Sequence, residues 1–587
     1  MSYAAPVDDI MHALKSAAGI EALIADGTVK VDLDTIRAVL EEAGKFGAEV
    51  LAPLNWDGDK QGSRLVDGVV HTPKGWKEAY KAFAEGGWGA LPCPEEHGGQ
   101  GLPQMVAMGA CEVWNAANMG FGLCPLLTQG AIDAIEAHGS DYLKTTFLPK
   151  MVSGEWTGTM NLTEPHAGSD LGHLRSSAKR HGDGTYRIFG TKIFITYGDH
   201  EMTDNIVHLV LARLPDAPPG TRGISLFAVP KRLVNADGTL GARNDVICAG
   251  VEHKLGIHAS PTCVMKYGEK GEGAVGYLVG EENRGLNVMF IMMNAARLAV
   301  GVQGVAIADR ATQRAAAYAR ERRQGRTASS HGTEMGPIIE HPDVRRTLST
   351  MKALTQASRA ICLVVAREID ISRHATDIAR RAAAANRAAL LTPVAKAFST
   401  DIGCEVASMG VQIHGGMGFV EETGAAQHYR DARILPIYEG TNGIQAIDLV
   451  TRKLPLEGGT VVQDYLRELS ETVHEVRASN RPEFGRTAER LGEAVSALAE
   501  ATRWMGEALA RNPDAALAGA TPYLRLFGLA AGGAYLARGA LLAIREGQPA
   551  SPHVALARFF AETQATAAAG LKETVVGGAD VTLAIAV

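Results

Sequence analysis

Cysteine is scarce in this sequence, and its few copies follow no recognisable pattern. Seven cysteines are scattered over 587 residues without a Cys-x-x-Cys pair. An odd, unpatterned set is typical of a reducing compartment and argues against a disulfide framework or a thiolate-bound zinc ion. A His-Glu-x-x-His motif is lacking too, and we therefore predict that the protein holds no metal.

An excess of positive charge is missing as well. The chain has 58 lysines and arginines against 65 acidic residues, a net charge of −7 at pH 7. Proteins that bind nucleic-acid phosphates carry a basic stripe, so we expect no nucleic-acid partner. The acids Asp8 and Asp9, in an N-terminal stretch without an apolar core, argue against a signal or transit peptide and favour a cytoplasmic protein.

Hydrophobic runs of the kind that cross a membrane are also lacking. The most apolar long stretches, around 288–308 and 523–544, contain Arg297, Arg525 and Arg538. We interpret both stretches as buried helices rather than membrane spans. Aromatic residues make up only 6% of the chain and alanine is abundant, which favours helical structure.

The character of the sequence changes several times along its length. Residues 1–155 are mostly helical in pattern, whereas residues 156–284 contain short β-rich runs separated by turn residues. Residues 285–453 return to long alanine-rich amphipathic segments, and residues 460–587 form another helical block after the linker 454–459. We predict a mainly α protein with a central β domain: an N-terminal helical domain, a β-barrel or sandwich, a four-helix bundle and an additional C-terminal helical domain.

Within these blocks, several segments carry the strongest secondary-structure patterns. The helical ones are 36–40, 105–117, 298–322, 344–373, 383–409, 465–478 and 521–545. The β-rich ones are 157–160, 186–189, 192–196, 206–212 and 223–229. Short strands at this spacing predict a barrel or a sandwich.

The loop Ile437-Tyr438-Glu439-Gly440-Thr441 contains an isolated carboxylate. Aromatic and apolar neighbours disfavour the charged form and raise the pKa of a carboxyl toward neutrality, where a general base works best. Gly440 leaves backbone N–H groups open to a ligand, so one loop could supply a base and an oxyanion donor. The alternative for this pentapeptide alone is a loop glutamate before a helix-capping glycine.

Three further stretches have the composition of a cofactor site. Residues 162–170 offer hydroxyls, glycine and exposed N–H groups, which suit a phosphate or a flavin edge, or simply a turn with side-chain caps. The arginines of 320–326 end a long helix and either contact a diphosphate or stabilise the helix terminus. The glycine-rich stretch 412–419 is either a second cofactor turn or a helix stop.

One match to a nucleotide-binding pattern is misleading. Residues 271–276 match Gly-x-Gly-x-x-Gly, but no helix follows and no βαβ unit surrounds them, so we interpret them as a flexible loop. His253 and His258 are interpreted as loop histidines, since no carboxylate or thiol stands beside them at metal-ligand spacing.

Taken together, the motifs across residues 90–450 resemble the acyl-CoA dehydrogenase family of FAD flavoenzymes. Residues 88–101 are similar to the N-terminal signature of that family, and residues 254–260 to its barrel-end signature. The fold that this resemblance implies is a helical domain, a β-barrel and a four-helix bundle. The C-terminal block resembles the extra domain of larger members, and the Tyr3-x-x-Pro6-x-x-Asp9 start most resembles bacterial enzymes of the 3-methylthiopropanoyl-CoA dehydrogenase type.

The resemblance implies a role for individual residues. Glu439 matches the catalytic base, which would remove the α-proton of an acyl-CoA while the β-hydrogen leaves as hydride to flavin N5, giving a trans-2-enoyl-CoA. The thioester carbonyl would accept hydrogen bonds from the Glu439 backbone N–H and a flavin ribityl hydroxyl. The implied FAD-binding residues are Met160, Leu162, Thr163, Ser169, Phe194, Thr196, Arg322, Gln324, His341, Gln412, Gly415, Gly416 and Thr441. The implied substrate-binding residues are Ser169, Asn294, Arg297 and Gly440.

The resemblance also implies partners. The substrate would be 3-methylthiopropanoyl-CoA or a medium- or long-chain fatty acyl-CoA, and an electron-transferring flavoprotein would reoxidise FAD. A homodimer is expected, with a homotetramer as the alternative, because Arg322, Gln324 and the 412–416 turn match residues that serve the neighbouring subunit's FAD.

The sequence departs from the family pattern at the subunit boundary. Gln324 runs directly into Gly325 where the family has a phenylalanine, and an insertion-like stretch, 327–337, separates Gln324 from His341. Gly443 replaces the family's glutamine two residues after Thr441.

Other functions are compatible with parts of this pattern. An acyl-CoA oxidase on the same fold would pass its electrons to oxygen, and sequence does not separate it well from a dehydrogenase. A flavin-binding, DNA-associated stress protein is opposed by the acidic balance. A non-catalytic helical scaffold is opposed by the presence of Glu439.

Overall fold

The computed structural model describes residues 3–331 and 334–586, which are mostly helical with one large sheet. Its α-helices are α1 Val7–Ser16, α2 Ile20–Ala25, α3 Leu33–Phe46, α4 Ala52–Gln61, α5 Trp76–Glu85, α6 Gln104–Ala117, α7 Met119–His138, α8 Asp141–Val152, α9 Gly285–Glu321, α10 Pro342–His374, α11 Ile378–His414, α12 Ala425–Ala432, α13 Asn442–Asp448, α14 Thr460–Ala478, α15 Thr487–Arg511, α16 Pro513–Ala518, α17 Ala520–Arg545, α18 Pro552–Phe559, α19 Ala568–Gly577 and α20 Ala579–Ala584. Its strands are β1 Arg64–Val66, β2 Val69–His71, β3 Trp156–Asn161, β4 Ser177–Arg180, β5 Tyr186–Thr196, β6 Asn205–Arg213, β7 Ile224–Pro230, β8 Arg232–Val234, β9 Leu240–Arg243, β10 Val246–Val251, β11 Thr262–Tyr267 and β12 Ala274–Leu278. Residues 332 and 333 of the insertion-like stretch, like residues 1, 2 and 587 of the terminal domains, lie outside the described residues.

Close packing divides the chain into two compact units. Unit 1 comprises Met1–Gly44, Gln104–Ala116 and Arg297–Val587, and unit 2 comprises Lys45–Pro103 and Ala117–Ala296. All the strands belong to unit 2, while α10 to α20 belong to unit 1. The long helix α9 passes from unit 2 into unit 1 between residues 296 and 297. This confirms a mainly α protein with a central β region.

The large sheet of unit 2 closes on itself. Its strands follow the order β10-β11-β5-β12-β7-β6-β3, and β4 pairs with both β5 and β6. Strands β5, β12, β7, β6 and β4 therefore form a ring, in which every pair is antiparallel except that of β4 with β6. Its core is filled by buried apolar side chains, among them Ile188, Val210, Phe227, Val229 and Met265. This is the barrel that the short β-rich runs predict.

Two strand predictions need correction. The runs 186–189 and 192–196 are a single strand, because Gly190 continues it with a φ of 140°. A side chain at Gly190 would meet Ser176, since its Cβ would lie 2.4 Å from Ser176 Oγ. The interpretation of 271–276 as a loop is wrong from Ala274 onward, where strand β12 begins and pairs with β5 and β7.

Three long helices dominate unit 1. Helices α10 and α11 extend beyond the predicted limits at both ends, whereas α9 begins earlier than predicted and ends one residue earlier, at Glu321. Helix α10 packs along α11, and both pack against α17 of the C-terminal block. Helix α9 approaches α11 closely at Gly304, where an added Cβ would lie 2.3 Å from the Ser399 carbonyl oxygen. These contacts bring the residues of α9 and α11 to the loop that carries Glu439.

Two helices of the described chain are long and apolar enough to cross a membrane, judged by length and composition alone. They are Gly285–Glu321, with a mean hydropathy of 1.5 in its most apolar window, and Ala520–Arg545, with 1.4. Within those windows 72% and 78% of the residues are buried in the chain itself. Core helices of soluble proteins have the same composition, and this burial is what we expect of them.

Candidate functional site

The backbone of the Glu439 loop has an unusual conformation. Glu439 and Gly440 are consecutive left-handed residues, with φ values of 57° and 85°. A residue with a side chain rarely adopts this conformation unless its surroundings impose it, and such residues cluster at functional sites. The Asn442 N–H donates to the Pro436 carbonyl at 2.9 Å, which closes the loop around Glu439.

Side chains from two helices hold this loop in place. The Lys396 ammonium of α11 donates to the Gly440 carbonyl at 2.9 Å, and the Gln445 amide of α13 donates to the Glu439 carbonyl at 3.3 Å. Thr441 caps α13 by accepting a hydrogen bond from the Ile444 N–H at 3.3 Å. The Glu439 N–H makes no hydrogen bond to any residue that the structure describes, so it remains available as a donor.

The charge of Glu439 is set by opposing influences. Burial of the carboxyl raises the pKa of Glu439 to about 7, although the positive charges of Arg297 and Lys396 both act to lower it. Arg297 lies on α9 and is buried, and desolvation lowers the pKa of its guanidinium. A carboxyl poised near neutrality beside two cations is suited to taking up a proton at physiological pH.

Asn294 differs from Arg297 in its exposure to solvent and in the compact unit to which it belongs. It is exposed on α9 and belongs to unit 2, whereas Arg297 belongs to unit 1. A substrate-binding role for Asn294 stays a prediction.

Unit 2 assembles a second group of the predicted residues. Met160 lies at the end of β3, with Leu162 and Thr163 following it, and Phe194 and Thr196 lie at the end of β5. The Ile193 N–H donates to the Thr163 carbonyl at 2.9 Å, which joins the two segments. Phe194 has a left-handed φ of 61°, and 59% of it is exposed. The exposed ring and the neighbouring hydroxyls form a surface suited to an aromatic cofactor.

A buried ion pair between Lys192 and Glu164 lies next to the segment that contains Leu162 and Thr163. The Lys192 ammonium donates to Glu164 Oε1 at 2.8 Å and to the Leu162 carbonyl at 3.0 Å. Glu164 also accepts from the N–H groups of Arg175 and Ser176, at 2.7 and 3.0 Å. Desolvation is the largest influence and acts to raise the pKa of Glu164, but the charge of Lys192 and the hydrogen bonds from Lys192, Ser176 and Arg175 together lower it below its usual value. Ser169 is exposed farther along the same loop.

The insertion-like stretch does not separate Gln324 from His341 in space. The Ile338 N–H donates to the Arg322 carbonyl at 2.8 Å, and the Gln324 N–H donates to the Gly336 carbonyl at 3.0 Å. The chain therefore returns to the end of α9 after the insertion-like stretch, and His341 Nε2 lies 2.8 Å from the Gln324 carbonyl oxygen. The side chains of Arg322 and Gln324 are exposed at the end of α9.

The glycine-rich turn ends helix α11. The Gly415 N–H donates to the Gln412 carbonyl, and Gly415 has a φ of 60° that permits the sharp exit. The His414 ring stacks on Tyr318 of α9, with 4.4 Å between the ring centroids. Gln412, Gly415 and Gly416 are all exposed, so the turn can be approached from solvent.

Two histidine clusters bear on the prediction of no metal. His258 Nδ1 lies 3.0 Å from Asp59 Oδ1, so the expectation that this histidine has no carboxylate companion is wrong. The companion comes from α4, far away in the sequence. Glu96, His97 and Glu136 place ligand atoms within 4.8 Å of one another, although none of the three is buried. Exposed acidic groups commonly gather without an ion, so we assign no metal to them.

Two residues that contact the Glu439 loop, Lys396 and Gln303, were not predicted from the sequence. Lys396 stands in the middle of α11 between the apolar residues Ala395 and Ala397, and it is fully buried. A charged residue inside the otherwise apolar run 394–398 was the one available signal, because lysine is almost never fully buried without a partner. Gln303 of α9 was also missed, although it accepts a hydrogen bond from Tyr438.

Comparisons with known protein families match most of the chain, between residues 34 and 586. Models of the acyl-CoA dehydrogenase N-terminal, middle and C-terminal domains match residues 34–155, 159–267 and 283–454. A model described as acetyl-CoA dehydrogenase C-terminal like matches residues 465–586.

Two curated relatives and one solved structure illustrate the similarity. The 3-methylmercaptopropionyl-CoA dehydrogenase of Ruegeria pomeroyi is 50% identical over 93% of this chain and 92% of its own. The butyryl-CoA dehydrogenase of Syntrophomonas wolfei is 34% identical over 93% of this chain and 90% of its own. An acyl-CoA dehydrogenase from Bacillus anthracis, solved with FAD, has the same fold with a TM-score of 0.74, 20% identity and coverage of 94% and 90%.

Proposed function

Because this chain belongs to the acyl-CoA dehydrogenase family, whose members are FAD-dependent oxidoreductases acting on CH–CH bonds, we propose that Glu439 is its catalytic base. The observation that carries this proposal is the Glu439 loop. One residue there combines a carboxyl whose pKa is raised to about 7, a left-handed backbone and an open N–H. A base and an oxyanion donor from the same residue are what α-proton removal next to a thioester requires.

The backbone and the side chain of Glu439 have separate roles in removal of the α-proton. The Glu439 N–H donates to the thioester carbonyl and stabilises the negative charge that develops on its oxygen. The Glu439 carboxylate takes the pro-R or pro-S α-proton that faces it, and Arg297 helps to keep that carboxylate charged before the transfer. Bound FAD would supply the hydride acceptor for the β-hydrogen that the oxidation to a trans-2-enoyl-CoA requires.

The residues of unit 2 fit an isoalloxazine ring. Phe194, which is 59% exposed, offers an aromatic ring for stacking, and Thr163 and Thr196 offer hydroxyls to ring heteroatoms. We propose Met160, Leu162, Thr163, Phe194 and Thr196 as contacts of the ring. Ser169, exposed on the following loop, is proposed to contact the pyrophosphate or CoA.

The exposed residues at the ends of α9 and α11 fit the rest of the cofactor. Arg322 and Gln324 present a guanidinium and an amide to solvent, beside His341, and suit a pyrophosphate. We propose that they and the turn at Gln412, Gly415 and Gly416 bind the FAD of a second subunit, and that the protein is a homodimer, with a homotetramer as the alternative. Thr441 is proposed near the FAD phosphates of its own site.

We propose 3-methylthiopropanoyl-CoA as the substrate. The Ruegeria relative, named for the same acyl group, is 50% identical over 93% of this chain. The Syntrophomonas relative, named for butyryl-CoA, is 34% identical, and both names describe short acyl chains. We therefore favour a short acyl group over the medium- and long-chain alternatives. Arg297, Asn294 and Gly440 are proposed substrate contacts.

The remaining proposals concern the cellular setting and the division of the chain. All seven cysteines lie in the described residues and are free thiols, which supports a reducing compartment such as the bacterial cytoplasm. An electron-transferring flavoprotein is the proposed electron acceptor. Domain limits of 1–155, 156–284, 285–453 and 460–587 are proposed from the sequence.

Anaerobic flavin bleaching tests this function. The purified FAD-loaded protein is mixed with 3-methylthiopropanoyl-CoA, butyryl-CoA and a long-chain acyl-CoA, and its absorbance near the flavin maximum is followed. We expect the methylthio thioester to bleach the flavin fastest, Glu439→Gln to keep FAD without bleaching, and the exposed α14 control Glu471→Gln to behave as wild type. Near-normal bleaching by Glu439→Gln would place the base elsewhere, and stoichiometric peroxide in air would identify an oxidase.

A further inference from the structure

We propose that Lys396 is a positioning residue for this reaction: its buried ammonium holds the backbone of Gly440 and the side chain of Asn442, and so keeps Glu439 in its reactive conformation. The inference rests on the function proposed above, because it assumes that Glu439 is the base. It concerns a residue that touches neither of the reacting atoms.

The contacts of Lys396 lock both sides of the loop. Its Nζ donates to the Gly440 carbonyl at 2.9 Å and to Asn442 Oδ1 at 2.8 Å. The Asn442 amide in turn donates to Thr400 Oγ1 at 3.0 Å and to Asp401 Oδ1 at 2.7 Å. These anchoring side chains, Lys396, Thr400 and Asp401, lie within a stretch of six residues of α11, so the residues on both sides of Thr441 are tied to a rigid element.

The loop needs this support because its conformation is costly. Glu439 has a side chain and keeps its left-handed φ of 57° only where surrounding contacts impose it, whereas Gly440 adopts such a conformation freely. Gln445 supplies only long contacts, 3.3 Å to the Glu439 carbonyl and 3.4 Å to the Gly440 carbonyl. The Lys396 bonds are the shorter ones, and a charged donor makes them stronger than bonds between neutral groups.

The partners of Lys396 distinguish it from a lysine that only stabilises the fold. Lys192, equally buried, lies 2.8 Å from the carboxylate of Glu164. Lys396 instead contacts a carbonyl and an amide, and in the described chain no carboxylate oxygen lies within 4 Å of its Nζ. Burial of an ammonium without a contacting counter-ion carries a large desolvation penalty. When protonated, this ammonium has no carboxylate at contact distance to neutralise it, and its charge acts on Glu439 at longer range.

The groups around Lys396 determine the sign of this effect. Asp401 and Cys404 of α11, Arg297 of α9 and Glu439 of the loop face the ammonium. Desolvation lowers the pKa of Lys396 to about 7, against the opposing effects of Glu439 and Asp401. At Glu439 the Lys396 charge favours the carboxylate. Loss of that charge should therefore raise the pKa of Glu439. The acid limb, the pH range in which the rate of flavin reduction rises as Glu439 loses its proton, should then move to higher pH.

Two substitutions of Lys396 distinguish the effect of its hydrogen bonds on the loop from the effect of its charge on Glu439. Lys396→Met removes both the donor and the charge, and Lys396→Gln keeps an amide donor without the charge. The exposed α5 residue Lys77, changed to Met, is the matched control. For each holoenzyme we would measure FAD content, melting temperature and the pH dependence of anaerobic flavin reduction.

The expected results are specific. We expect Lys396→Met to lower the limiting reduction rate by about tenfold or more and to move the acid limb upward by about half a pH unit or more. Lys396→Gln should show the same shift of the limb with a smaller loss of limiting rate, because it still donates to Gly440. Lys77→Met should match wild type.

Other outcomes would contradict the role proposed for Lys396 while leaving the role proposed for Glu439 intact. An unmoved acid limb in both variants, with activity lost only in proportion to FAD content or folded fraction, would assign Lys396 a structural role alone. Failure of both variants to fold would do the same. If instead wild-type protein is not bleached by any acyl-CoA, or Glu439→Gln still is, the function itself has failed.

Discussion

Tyr438 donates its hydroxyl to Oε1 of Gln303, and this bond fastens the loop that carries Glu439 to helix α9. The chain of bonds continues, because the Gln303 amide donates to Asn115 Oδ1 at 3.0 Å and the Asn115 amide donates to the Cys111 carbonyl at 2.8 Å. Gln303 and Asn115 are almost completely buried. The loop is thus held by α9 and α6 through Tyr438, and by α11 through Lys396.

Tyr438→Phe should weaken this attachment. The change leaves the buried Gln303 oxygen without its donor, which costs about 1–3 kcal/mol of unfolding free energy. Because the loop then has one anchor fewer, we expect flavin reduction to slow by about tenfold. Denaturant unfolding and stopped-flow reduction would measure the two effects. Tyr429→Phe, at an exposed tyrosine of α12, is the control, and an unchanged stability of Tyr438→Phe would contradict the anchoring role.

The pH dependence of the reaction should report Glu439. The base must be deprotonated, and its pKa in the free protein is raised to about 7. Flavin reduction at low substrate concentration should therefore rise with pH, about tenfold per unit below that pKa, and level off above it. Any slow flavin reduction that Glu439→Gln still shows should lack this dependence on pH. A flat wild-type profile across the neutral range would mean that another group is the base.

The ion pair under the proposed flavin site should respond differently to single and double substitutions. Lys192→Met leaves the buried Glu164 carboxylate without its cation, a change that costs about 3–5 kcal/mol. The Leu162 carbonyl loses its donor at the same time, so FAD should be released at lower temperature. We expect Lys192→Met with Glu164→Gln to recover part of the stability, because no unpaired charge is left. Thermal unfolding with FAD fluorescence would measure both, and equal instability of the single and double variants would refute the pairing.

Asp370 of α10 caps the start of helix α6. Its two carboxylate oxygens accept from the N–H groups of Gln104 at 2.6 Å and Met105 at 3.0 Å, and the residue is buried. Asp370→Ala removes both acceptors and should cost about 1–2 kcal/mol of unfolding free energy. Asp370→Asn keeps one acceptor and should cost less, as urea unfolding at one pH would establish. Similar losses for the two variants would argue that the cap is unimportant.

The same carboxyl predicts a pH-dependent stability. Burial raises the pKa of Asp370 to about 7, against the lowering effect of its two backbone hydrogen bonds. A group whose pKa is raised on folding stabilises the protein below its unfolded pKa, and that stabilisation is lost as the pH rises through the folded value. The stability of wild type relative to Asp370→Asn should therefore fall between about pH 4 and pH 7, by up to about 1.4 kcal/mol per unit. An unfolding series across that range would test it, and a pH-independent difference would contradict it.

Parts of the secondary structure could not be predicted from local pattern. Gly190 looks like a break between two strands, yet the strand continues through it because Gly190 pairs with Tyr267 of β11, at a position where Ser176 leaves no room for a side chain. Ala274 follows a run of turn-forming glycines, yet pairing with β5 and β7 recruits it into a strand. In both cases partners distant in sequence outweigh local propensity.

The sequence by itself determined the fold class, the family and the choice of Glu439 as the candidate base. Those conclusions rest on motif order and on local chemistry, which the chain carries whatever its packing. Only the tertiary structure decided which charges face that carboxyl and what holds its loop. Arg297 and Lys396 reach Glu439 from helices far away in the sequence, and the distance between such groups is set by how α9 and α11 pack.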